Sequence, residues 1–109
     1  MLELLAFADT IYFKWTAPQY LIMQTINYYC RICGLKHSDP PWGNDGKTAS
    51  FNICPCCGAE FGYHDATLQA IQRYRENWLL EGAKWFEPHT KPEQWSLEKQ
   101  LKEIPHTFL

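Results

Sequence analysis

Apolar residues recur at helical spacing in one long stretch of the chain, "HDATLQAIQRYRENWLLEGAKWF" at 64–86. Leu68, Ile71, Tyr74 or Arg75, and Trp78 with Leu79 fall on one stripe, the pattern of a helix that turns one face to a core. Asp65 is placed to cap it by accepting a backbone N–H of the first turn, and Gly82 to stop it. A second, shorter helix is expected within "KPEQWSLEKQLKEIP" at 91–105. There Ser96 is the cap, Leu97, Leu101 and Ile104 share a face, and Pro105 ends the run. Glu98 and Lys102, four apart with the acid first, make a favourable surface pair.

The pattern changes toward the amino end. Ile11, Phe13 and Trp15 alternate with Tyr12 and Lys14, the period of a strand; "TAPQ" reads as a turn and "YLIMQTINYY" as a returning strand. Residues 1–27 are therefore a hairpin or, since Met23 offers a second start, an extension. Between the cysteines, "LKHSDPPWGNDGKTAS" is rich in chain breakers and reads as a loop, with "SFNI" a short strand leading to Cys54.

"CRICGLK" at 30–36 and "CPCCGAE" at 54–60 align as Cys, two residues, Cys, Gly. The match selects Cys30, Cys33, Cys54 and Cys57 in the spacing C-x2-C-x20-C-x2-C, that of a four-thiolate metal site. Two intervening residues let a tight turn aim both sulfurs at one ion. Gly34 and Gly58 supply the positive φ such turns commonly need. Zn2+ suits four thiolates in a tetrahedron and has no redox chemistry; iron is accepted by the same ligands. Cys56 is left over as a spare thiol, a replacement ligand or an inward packer, the spare role being favoured. His37 and His64, near the two turns, are expected outside the ligand set.

Composition narrows the reading further. At 109 residues the chain makes one domain, small enough to gain from a metal staple. Five Trp, six Tyr and six Phe fill such a core economically. The net charge of −2, without a basic stripe, argues against nucleic acid as main partner, because phosphate binding needs clustered cations. Neither a secretory leader nor a membrane span is read at the amino end, so a cytoplasmic setting is expected, where paired cysteines bind metal more often than they form disulfides.

No catalytic pattern emerges. Four thiolates close the coordination shell, whereas catalytic zinc keeps a position for water. The zinc-deaminase pairing of H-x-E with P-C-x-x-C fails at "HSD" and "PCCGA". No serine sits in a nucleophile signature, and no small-molecule substrate is suggested.

"YYCRICG…SFNICPCCGAEFGY", over residues 28–64, resembles a zinc ribbon with rubredoxin-like knuckles, and "CPCCG" with its aromatics resembles the small bacterial cysteine-rich CPCC proteins. The resemblance implies a zinc-ribbon core at 28–64, its two knuckles on short antiparallel strands; with the helices read from the periodicity, a helical part at 65–109 packed on that core, the expected fold is α+β. The resemblance also implies a structural Zn2+ on Cys30, Cys33, Cys54 and Cys57. Some CPCC proteins are thought to be immunity proteins, so the expected role is a noncatalytic protein-binding module, with a toxin domain as the implied partner. Two alternatives stay open: a nucleic-acid-binding ribbon using Lys36, Lys47, Arg73, Arg75 and Trp42, and a rubredoxin-like iron redox carrier.

Overall fold

A computed structural model describes residues 25–109. The hairpin or extension expected over residues 1–27 lies almost wholly outside the described residues.

Among the described residues, helix α1 runs Leu68–Leu80 and helix α2 only Leu97–Leu101. Short 3-10 turns occupy Pro88–Thr90 and His106–Phe108. Thr67, not Asp65, caps α1: its extended backbone and side-chain oxygen receive the N–H of Ala70 at 3.1 Å. Both residue types cap well, and tertiary structure makes the choice. Asp65 is fully buried, where it accepts from the Gly62 N–H at 2.7 Å and the Trp42 indole at 2.9 Å. The carboxyl end of α1 closes as anticipated. Gly82 N–H donates to Leu79 O and Ala83 N–H to Trp78 O, the paired bonds of a Schellman stop. Ser96 caps α2, accepting from Lys99 N–H at 3.2 Å.

The ribbon on antiparallel strands is not found. Among the described residues there are no strands, only two isolated bridges, Tyr29 with Lys36 and Ile53 with Glu60. The fold is helices and turns. Each cysteine turn pairs its arms for a few residues and is then cut short. After the first, Pro40 and Pro41 divert the chain; before the second, Phe51 takes a left-handed φ of 62°, which no extended strand allows. "SFNI" accordingly contributes one bridge at Ile53 rather than a strand.

The core is built around sulfur. Cys30, Cys33, Cys54, Cys56 and Cys57 are buried together with Ile32, Ala59, Phe61, Ile71, Trp78 and Trp85. From α1 only Ile71 and Trp78 are buried; Leu68 and Leu79, expected on the same stripe, are substantially exposed. The second helix reaches the core through Gln100, and Ile104, beyond its end, is buried as well.

Gly34 is where this layer meets the first turn. Its φ is +84°, and a Cβ there would lie 2.3 Å from the backbone oxygen of Gln100. At Gly58, φ +81°, the nearest atom would be a Phe86 ring carbon at 3.0 Å, and a side chain yields more readily than backbone. Gly34→Ala should therefore cost more than the ~1–2 kcal/mol of a left-handed alanine, and Gly58→Ala little beyond it. Thermal unfolding of the two variants checks the order; equal losses would contradict the docking of α2 on the first turn.

Candidate metal centre

The two cysteine turns repeat one another bond for bond. In the first, Cys30 N–H donates to Leu35 O, Gly34 N–H to Cys30 O and His37 N–H to Tyr28 O, at 2.9, 3.0 and 2.8 Å. In the second, Cys54 N–H donates to Ala59 O, Gly58 N–H to Cys54 O and Phe61 N–H to Asn52 O, at 2.9, 2.8 and 2.9 Å. The sequence duplication is thus a structural one, and it presents two pairs of sulfurs to each other.

Cys30, Cys33, Cys54 and Cys57 are all buried, with their sulfur atoms within 4.8 Å of one another. Cys30 Sγ lies 3.7 Å from Cys57 Sγ, and Cys33 Sγ 3.6 Å from Cys54 Sγ. A disulfide needs about 2.0 Å, so these are not bonded pairs. A tetrahedron with zinc–sulfur bonds of about 2.3 Å has edges of about 3.8 Å, which the observed contacts approach. The four-cysteine cluster can therefore hold a metal ion.

Cys56 is not one of the four, although its thiol is close enough to Cys33 for the two to interact. It occupies in the second turn the place Ile32 holds in the first, and both are fully buried. Its sulfur receives the Gln100 side-chain N–H at 3.3 Å. It is an inward packer, and the aligned Ile32 was the clue in the sequence. His64 also lies outside the cluster: its Nδ1 accepts the Glu60 N–H at 2.9 Å, and its ring packs on Tyr63 and Tyr74. His37 sits edge-on to Phe61 with Nε2 buried and no formed hydrogen bond, yet its imidazole is near enough to Cys54 to favour that thiolate.

The buried thiols titrate unequally. Cys54 is held far below the ordinary thiol range because Cys30, Cys33 and Cys57 point hydrogen-bonding S–H groups at it. Cys33 is pushed well above that range by burial and then by its thiol neighbours, and Cys57 chiefly by Cys30. Burial and neighbouring thiols oppose ionisation at Cys33 and Cys57, which a bound cation would offset. Metal binding must displace protons from Cys33 and Cys57. Lowering the pH returns them, so metal should be retained at neutral pH and released on acidification. A metal-indicator titration against pH checks this; retention unchanged into acid would contradict it.

Three supporting residues carried no motif. Arg75, on α1, donates Nε–H to Ile32 O at 2.8 Å and a terminal N–H to Arg31 O at 2.9 Å, and also reaches Phe108 O. It straps the first turn and the C-terminal segment to the helix. Burial lowers its pKa, while Cys30 and Cys33 pull the other way. Gln100 donates to Cys33 O at 3.0 Å as well as to Cys56 Sγ, while its Oε1 accepts the Trp95 indole N–H at 2.7 Å. Tyr74 donates to Cys57 O at 2.9 Å, and burial, aided by the nearby thiolates, pushes its pKa up to about 12.

Two of the residues considered for nucleic-acid contact are engaged within the fold. Arg75 is the strap just described. Trp42 donates to Asp65 and stacks under Arg31, whose guanidinium lies 4.0 Å from the Trp42 ring centre and 4.4 Å from that of Phe108. No helix of the described residues is long and apolar enough to cross a membrane.

Two proteins of Bacillus subtilis (strain 168) resemble the chain. It is 40% identical over 83 residues to the uncharacterized protein YozI, covering 62% of this chain and 69% of that one. It is 38% identical over 103 residues to the uncharacterized protein YoaQ, covering 71% of this chain and 86% of that one. No family model and no solved structure matches the chain, so the likeness to zinc ribbons and CPCC proteins remains one of motif.

Proposed function

The chain belongs to the family of the Bacillus subtilis proteins YozI and YoaQ, and we propose that it is a noncatalytic protein in which Cys30, Cys33, Cys54 and Cys57 hold one structural zinc ion. The observation that carries this reading is the buried four-sulfur cluster, with contacts of 3.6 and 3.7 Å. Four thiolates complete a tetrahedral shell and leave no position for water or substrate, so the metal's work is to hold the fold. Zinc is favoured over iron because the role asks for no electron transfer. Elemental analysis of purified protein tests it: one zinc per chain is expected, and a coloured iron protein would contradict the choice of metal.

What the cage supports is a surface for another protein. Around the second turn Phe51, Ile53 and Phe86 are each about half exposed or more, and exposed rings gathered near one feature mark interaction sites. The motif likeness to CPCC proteins supplies the partner class, a bacterial toxin domain. Co-expression with a toxin encoded beside the chain's gene should restore growth, and Phe51→Ser with Phe86→Ser should abolish that protection while the metal stays bound. Growth equally poor with and without the chain would overturn the immunity role.

A further inference from the structure

A cleft of about 370 Å³ opens between the end of the second cysteine turn and α1, lined by Tyr63, His64, Ala70, Arg73, Tyr74 and Asn77. Its wall carries a guanidinium, an amide and an imidazole, and no acidic side chain. Arg73 and Asn77 are exposed, and among the described residues neither side chain has a hydrogen-bond or ion-pair partner. His64 is set by the backbone: its Nδ1 accepts the Glu60 N–H at 2.9 Å, which puts the ring proton on Nε2. Among the described residues that Nε2–H has no partner, and it is open to solvent. The rest of the wall is largely aromatic. Tyr74 is pinned by its bond to Cys57 O at 2.9 Å. Tyr63 is 71% exposed, and its ring packs only on that of His64, 4.6 Å away between centres.

We propose that this cleft is a binding site for a small, flat aromatic ligand that carries an oxyanion, either phosphate or carboxylate. The unengaged donors select the anion: a guanidinium offers two parallel N–H groups to a phosphate or carboxylate, and no carboxylate on the wall repels it. The cleft is larger than a bare oxyanion fills. The exposed Tyr63 ring is a stacking platform for the remainder of the ligand, which is therefore a ring rather than a flexible chain. One oxyanion asks for one cation. The missing basic stripe, which argues against polynucleotides, thus does not argue against this ligand. The site goes beyond the zinc and toxin-binding readings and depends on neither.

The test titrates the full chain, labelled with 15N, with four probes at fixed ionic strength: AMP, benzoate, adenosine and inorganic phosphate. AMP or benzoate should shift amides within residues 63–77, and whichever binds more tightly tells phosphate from carboxylate. Adenosine, a ring without the anion, and phosphate, an anion without the ring, should each bind at least about tenfold more weakly than that ligand. Arg73→Gln should weaken binding about ten- to a hundredfold, the loss of a charge-assisted pair. Tyr63→Ala should weaken it about fivefold or more, the loss of a stacking face. Both side chains are exposed, so both variants should unfold at the parent's temperature. The inference is overturned if neither ring-bearing anion binds, if adenosine or phosphate alone binds as tightly, if the shifted amides lie elsewhere, or if Arg73→Gln changes nothing. Each of those results leaves the zinc and toxin-binding readings standing.

Discussion

Cys54→Ser is expected to purify without bound metal and without a cooperative unfolding transition, whereas Cys56→Ser keeps its metal and most of its stability. The two positions are two residues apart and equally buried, so exposure does not separate them. Coordination does. Cys54 Sγ lies 3.6 Å from Cys33 Sγ inside the four-sulfur cluster, while Cys56 faces Gln100. Structural zinc contributes on the order of 10 kcal/mol or more to folding. The total stability of a small domain is only about 5–15 kcal/mol, so losing the metal should lose the fold. At Cys56 the change removes a sulfur that packs and accepts one hydrogen bond, and Ser can still accept from Gln100. Its cost should stay near the ~1–2 kcal/mol of an imperfectly filled core site. Metal content and denaturant unfolding of both variants check the contrast. Equal losses would mean that Cys56 belongs to the cage.

The second large effect is expected at Arg75. Arg75→Met keeps the stem and the helix propensity but leaves the carbonyls of Ile32, Arg31 and Phe108 without their donor. Hydrogen bonds from charged groups contribute about 1.5–3 kcal/mol each, and the losses overlap because one side chain makes them all. A destabilisation of about 3 kcal/mol is therefore expected. Arg75→Lys should not restore it, since a single ammonium cannot span three carbonyls as a guanidinium fork does. Unfolding of the two variants in parallel is the check; a fully stable lysine variant would show that charge near the thiolates, rather than the strap, is what matters.

How much of this was legible beforehand follows from where each signal resides. Four cysteines that meet in space were readable because the chain repeats a local turn, and local turns are written in adjacent residues. The helix stop at Gly82 and the cap at Ser96 were readable for the same reason. Asp65 leaves the cap because its carboxylate is taken by the nearby Gly62 N–H and by Trp42, and the second of these partners is distant in sequence. The expected strands shrink to single bridges: the flanks of a cysteine turn carry strand-forming residues, but sheet formation depends on what happens beyond them, and here Phe51 and the prolines intervene. Gln100 carries no sequence signal at all, since its bonds run to Cys33 and Cys56. Arg75 did leave a trace, a cation on an apolar stripe, which is how a buried strap looks when only its own helix is in view.

Zinc-edge X-ray absorption on the purified protein tests the central claim most directly. Four sulfur neighbours at about 2.3 Å, with no nitrogen or oxygen in the first shell, is the predicted result. A shell containing histidine nitrogen or water oxygen would contradict the closed cage, and protein that folds stably with no metal to measure would contradict the account as a whole.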